Sequence, residues 1–388
     1  MINDSFSLMR GGLVYRLLSG MGALHPGMNT APFVAALVFL VSFAPLLLLS
    51  AADGSLLAGG RTIPLLGDYA ALSRFLIVVP LLILAAPHCD ALLRGAIRQV
   101  VHSGLVRPSR QHALEAALSR IRKLRNSNIP ELVCLALALL PLLRPQSSLS
   151  FLGGAQDWRT APDGMLTDAG RWFELVSVPI FRFVAFIWAW RFLLWSYLLW
   201  RLARLRLDLH PAHPDGAGGI GFLGVAQQRF AVLPLAGGIL LCGACINHIK
   251  YLGETVAGMK HLLIGYVVGS TVLLLLPLLL LSPLMMKAKR HALLKYNALG
   301  NRAIRLFDRR WRRGEADQDG DSLLDKGDAS ALADFTGVYE KLSAMSMAPM
   351  TRWTVVQVAL HAALPLLPLL LFAMSIDELA RKLMSILI

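Results

Sequence analysis

A chain of 388 residues is long enough for two soluble domains, but 56% of it is hydrophobic, only 16% is charged, and its mean hydropathy is +0.58. Soluble domains carry about 25% charged residues, so the composition excludes an ordinary globular protein and points to a multi-pass membrane protein. The net charge of +14 would suggest nucleic acid in a soluble chain; here the basic residues stand beside apolar runs and no binding motif accompanies them, so no nucleic-acid partner is expected.

A helix rises about 1.5 Å per residue, so roughly twenty apolar residues cross the hydrocarbon core. Seven runs reach or approach that length: 31–51, 74–92, 129–150, 172–200, 231–251, 261–286 and 353–375. The polar stretch ahead of the first run is too long for the head of a signal peptide, so "FVAALVFLVSFAPLLLLSA" reads as a retained span. The expected fold is an all-α, polytopic transmembrane bundle of about seven spans, with cytosolic basic helices. It has six spans if 129–150 only re-enters, since "IPELVCLALALLPLL" is short and meets Arg144 and Pro145. With seven spans and a cytoplasmic N-terminus, 27 of the 38 Lys and Arg fall in cytoplasmic segments, which the positive-inside rule favours. That arrangement puts the C-terminus outside, in a bacterial inner membrane.

The bundle is then 1–286, with cytosolic loops 93–130 and 201–230. A cytosolic basic helix and acidic linker follow over 287–352, and 353–388 holds the last span and an amphipathic tail. In loop 93–130, Leu114, Ala117, Leu118 and Ile121 recur at helical spacing with arginines opposite, a pattern expected to lie along anionic headgroups.

The fourth run carries Arg182 and Arg191 near its middle. A centred arginine costs at least about 2.5–3.5 kcal/mol, so each needs a partner or water. Nine residues apart, the two point to nearly opposite faces. Trp188 and Trp195 share the face of Arg191 and offer cation–π shelter. Glu174, Asp90, Glu254 and Asn247 are the partners considered for Arg182, with anion contact or gating as its functional role.

The next polar stretch, "LHPAHPDGAGGIGF", spans 209–222. His210, His213 and Asp215 are metal-ligand types, but the flanking prolines keep the segment extended and no fourth ligand is evident; metal occupancy stays unknown. Gly216, Gly218 and Gly221 match a dinucleotide fingerprint without the strand it needs, although successive amides through Gly216, Gly218, Gly219 and Gly221 can form an anion nest. The third reading is structural: prolines stop one helix, Asp215 caps the next, and glycines allow close packing. His213, Pro214, Asp215, Gly218, Gly219, Gly221, Phe222 and Leu223 resemble the H-P-D-x-x-G-G-x-G-F-L loop of uncharacterised bacterial multi-pass inner-membrane proteins, a resemblance that implies no activity.

Further on, Asn247 and His248 lie near the end of span five, and Gln357 and His361 sit four apart on span seven; all four are candidate transport residues or interhelical hydrogen-bonders. Cys242 and Cys245 form a C-x-x-C inside span five, read as packing rather than redox chemistry. Cys89 and Cys134 also sit in or beside apolar runs, so no outer disulfide scaffold is indicated. Small residues along span five (Ala236, Gly243, Asn247) permit close helix contact and leave a homo-oligomer open. Pro277, Pro283, Pro365 and Pro368 should kink the last two spans. "DQDGDSLLDKGD" departs from the calcium-loop pattern and reads as an acidic linker paired with Arg309, Arg310, Arg312 and Arg313.

No catalytic constellation and no cofactor are expected. The first functional expectation is a channel or transporter for a small anion. The second is a signalling or scaffold protein whose basic helices bind a cytosolic protein partner or anionic lipids. The third is a membrane enzyme that acts on a lipid headgroup through the His210–Asp215 loop.

Overall fold

The computed structural model describes residue 7 and residues 30–57, 63–143, 157–161, 164–309 and 328–373. Among them every regular element is helical, and the only β features are two isolated bridges, Ile63 with Asp157 and Thr160 with Leu166. The helices are α1 (Ala31–Ala52), α2 (Tyr69–His102), α3 (Gln111–Asn126), α4 (Ile129–Leu139), α5 (Asp168–Arg204), α6 (Gly221–Leu252), α7 (Lys260–Phe307), α8 (Asp328–Ser343) and α9 (Arg352–Phe372). Six of them, α1, α2, α5, α6, α7 and α9, are long and apolar enough to cross a membrane. The protein is a membrane-embedded, multi-pass helical bundle.

Local chemistry sets the helix ends. Asp68 caps α2 by accepting from the Ala71 N–H at 3.0 Å, and Thr167 caps α5 by accepting from Gly170 at 3.0 Å. Gly253, at φ +70°, ends α6 in the left-handed conformation that a side chain disfavours. Thr351 and Thr354 form a reciprocal capping box at the start of α9. The expected proline interruptions are present as tight turns over Leu276–Leu281 in α7 and Leu364–Leu369 in α9. Two widened, i→i+5 turns were not expected: Ser73–Val78 in α2 and Phe173–Ser177 in α5.

The bundle has two polar ends. At one, Ile63 pairs with Asp157, Trp158 Nε1 donates to Asp68, and Asn247 at the end of α6 bonds both Asp68 and the Tyr69 N–H. At the other, the Asp208 N–H reaches Leu105 O at 2.8 Å, Ser346 N reaches Gly216 O at 2.8 Å, and Lys289 Nζ reaches Met345 O at 2.7 Å. Between them lies a core in which Trp188, Trp195 and Phe230 are buried with leucines of α2, α5 and α7.

Two faces singled out in the sequence are packed inside the chain. The apolar face of α3, Leu114, Ala117, Leu118 and Ile121, is buried, and Leu114, Leu118 and Ile121 belong to the same core as Leu198 and Leu202 of α5. It is therefore unavailable for insertion among lipid headgroups, because its hydrophobic burial is already satisfied inside the protein. The small face of span five is also consumed within the chain. A Cβ on Gly243 would stand 2.4 Å from Ser73 Oγ and 2.5 Å from Tyr69 O, so at this point α6 packs directly on α2. The run 129–150 contains α4 and a tight turn through Leu143; its final residues, Arg144 and Pro145 among them, lie outside the described part. So do all but the last residue of the acidic linker Asp317–Asp328, and Arg310, Arg312 and Arg313.

Candidate functional site

Near the Asp68 end, α2 and α5 meet through rings. Phe75 packs edge-on against Phe173 at 5.9 Å, and Trp158 does the same at 5.2 Å. Charged groups gather around this aromatic joint. Arg159 is held by Asp157 and stands 5.4 Å over the Phe173 ring. Arg74 projects from the widened turn of α2 to lie 5.1 Å over Phe181, the residue that precedes Arg182. Its Nε is completely buried and makes no hydrogen bond among the described residues. Arg182 lies within electrostatic reach of Arg74 and of Glu174, yet no ion pair or hydrogen bond is formed by its guanidinium among the described residues.

Of the partners considered for Arg182, Glu174 alone is near it. Glu254 pairs with His248 at 3.3 Å, and Asn247 is bound to Asp68 at 2.8 Å. Asp90 belongs to a different place. It is fully buried, accepts from Ser7 Oγ at 2.6 Å and stands 3.2 Å from Arg94 Nε. Arg191 feels the charges of Asp90 and Glu131 and lies 5.9 Å from the Trp188 ring, so both a carboxylate and an aromatic face shelter it. Trp195 does not take part; its Nε1–H donates to Gln227 instead. The two arginines of α5 thus serve separate environments, as their opposite faces require.

The loop after α5 is built around one carboxylate. Asp215 accepts from the N–H groups of Ala217 at 2.8 Å, Gly219 at 3.0 Å and Gly221 at 2.9 Å. Gly216, Gly218 and Gly219 hold φ of +62°, +70° and +91°, which is what turns those amides inward. The nest anticipated for an external anion therefore exists, and the chain's own Asp215 fills it. Partial burial pushes the Asp215 carboxyl up, but the amides of Gly221, Ala217 and Gly219 and the His213 side chain together hold it below the usual carboxylate range. The His213 Nδ1 is 2.9 Å from Asp215 Oδ1 and 3.2 Å from the Asp215 N–H. When protonated it donates to the carboxylate; when bare it accepts from the amide. His210 bonds through its backbone, to Gly218 and His213. Among the described residues no group of three His, Cys, Asp or Glu is arranged to hold a metal. For this loop the reason is plain: Asp215 spends both oxygens on backbone donors.

The remaining residues singled out in sequence are scattered. Gln357 accepts from Gln228 Nε2 at 3.0 Å, joining α9 to α6, while His361 is exposed on the bundle surface and donates from Nδ1 to the Gln357 carbonyl at 2.7 Å. Cys242 and Cys245 are free thiols, buried in a small apolar cluster. Three polar residues had not been singled out. Asp68 gathers α2, α6 and Trp158 on one carboxylate. Gln227 is fully buried and bridges Trp195 to the Leu274 carbonyl beside the broken turn of α7. Arg74 stands at the edge of the apolar run 74–92, although an aspartate just ahead of "YAALSRF" is a helix-start signal that places it inside the helix.

A scan of family models, a search of curated proteins and a search of solved structures each return no match to this chain.

Proposed function

We propose that the protein is a membrane channel or transporter that passes a small anion, with Arg182 in its path. One observation carries this reading: a guanidinium in an apolar helix, beside a second cation, with no hydrogen bond or ion pair among the described residues. An arginine in such a helix is expensive to insert, and its retention without a structural partner favours a ligand of opposite charge. The proline-broken turns of α7 and α9 also resemble the interrupted helices that surround transport sites.

The reading includes seven crossings, with the loop at 209–220 in the cytosol and the Asp68 end outside. Its support is that α3 packs at the foot of α5, whereas Asp157 and Trp158 touch Ile63 and Asp68 at the other end. That change of ends between α3 and Asp157 supports counting the run that contains α4 as the seventh crossing, although α4 is shorter than the six long helices. Reconstitution in liposomes with a panel of anions tests the function: flux is expected, falling at least tenfold in Arg182→Ala. Absence of flux for every common anion, or an unaltered rate in the variant, would overturn it.

A second reading, a scaffold that binds anionic lipid or a cytosolic partner, is favoured by an open groove lined by Ser119, Arg122, Lys123, Asn126 and Ser127 on α3. Recovery of a stoichiometric partner that is lost on Lys123→Glu, with no anion flux, would select it.

A further inference from the structure

We propose that Arg74 and Arg182 together form a binding site for a multi-oxygen anion of the sulfate, phosphate or carboxylate class, in the half of the bundle nearer Asp68. The site deepens the anion-permeation reading and rests on it only for the claim that the bound ion moves onward.

Arg74 is the key to the chemistry. Its guanidinium carbon lies 5.1 Å from the centre of the Phe181 ring, a cation–π contact that uses none of its five N–H groups as hydrogen-bond donors. Its buried Nε–H has no acceptor among the described residues. The nearby carboxylates do not supply one. Asp68 is occupied by the Ala71 amide, the Trp158 indole and the Asn247 amide, and Asp157 is occupied by Arg159. Arg182, one residue beyond that ring, adds a second guanidinium that makes no hydrogen bond or ion pair among the described residues. Two forks of spaced N–H donors match an ion that presents two or more oxygens, whereas a halide offers a single centre. Both flanking helices widen here, at Ser73–Val78 and Phe173–Ser177. Such turns recur at functional sites because they displace a side chain from the regular helical track.

Sulfate is the probe, with chloride as competitor, on delipidated protein in neutral detergent. Intrinsic tryptophan fluorescence reports binding, since Trp158 adjoins the site. Saturable sulfate binding is expected, with Kd raised at least tenfold in Arg74→Gln and in Arg182→Gln. Arg74→Lys, which keeps the charge and loses the fork, should fall between. Arg290→Gln, exposed at the far end of the bundle, should bind as wild type. Footprinting of the wild-type protein with phenylglyoxal removes dependence on any variant folding: sulfate should protect Arg74 and Arg182 and leave Arg290 reactive. Unchanged affinity in Arg74→Gln, or no protection of Arg74, overturns the site. Phosphatidylglycerol nanodiscs form the second arm. Arg74-dependent retention of that lipid which sulfate cannot displace would assign the oxyanion to a headgroup phosphate and uphold the site. Sulfate binding through Arg74 without liposome flux would uphold the site and overturn permeation; flux without Arg74-dependent binding would do the reverse.

Discussion

Asp215 shows how one side chain organises a loop that would otherwise have no regular structure. Three backbone amides and the His213 imidazole converge on it, and a cluster of left-handed glycines makes the convergence sterically feasible. Asp215→Ala should therefore destabilise the protein by about 1–3 kcal/mol, the range for donors stripped of their acceptor. Asp215→Asn, which keeps one acceptor oxygen, should lose less; thermal unfolding in detergent measures both. The pH dependence follows from the sign of the shift. The folded carboxyl titrates below its ordinary value of 3.8, so its contribution is complete above that value and is lost as pH falls through the lower, folded one. The acid-induced loss of thermal stability should accordingly be weaker in Asp215→Asn than in wild type. The function of His210, His213 and Asp215 could not be read from their types because metal ligation, anion binding and self-capping use the same atoms. Only the direction of the amides separates them.

At the scale of the helices, broken and closely packed backbones place the strongest demands on sequence. Gln227 answers one of them. The turn at Leu276–Leu281 interrupts the ladder of α7, and the Gln227 amide donates to the Leu274 carbonyl while its oxygen accepts from Trp195. In an apolar medium such a carbonyl has no water to turn to. Gln227→Ala should reduce stability by about 1–2 kcal/mol, and the same loss in Trp195→Phe, without additivity in the double variant, would identify one shared bridge. Gly224 answers another. A Cβ there would stand 2.0 Å from the Pro349 carbonyl, so Gly224→Ala must push α6 away from the segment before α9. A loss of about 1–3 kcal/mol is expected from such overpacking, again by thermal unfolding. The helices themselves were legible because apolar length and proline position are local properties. The widened turns were not, since nothing in "SRFLIV" or "FELVS" differs from ordinary helix sequence. Nor could amphipathicity alone tell that α3 docks on protein rather than lipid, because both present an apolar surface to it.

For the molecule as a whole, the arrangement of the two polar ends makes a direct topological claim. Cysteines introduced at Ser55 and Thr167 in a background lacking the four native thiols should react with an impermeant maleimide from one side of sealed vesicles. Those at Ser119 and Ala212 should react from the other. Labelling of positions 119 and 167 from the same side would mean that the chain turns back at α4, and would leave six crossings.

Composition and hydropathy by themselves determined that this is a multi-pass helical membrane protein, because transfer from water to hydrocarbon is a property summed along the chain and needs no knowledge of neighbours. Segment length located the six long spans, and proline located the breaks. Which charge meets which was decided only by tertiary structure. Arg191 goes to the surroundings of Asp90, and Arg74 from another helix to the ring beside Arg182. Electrostatic pairing depends on distance through space between helices far apart in sequence, and a linear pattern carries that distance nowhere.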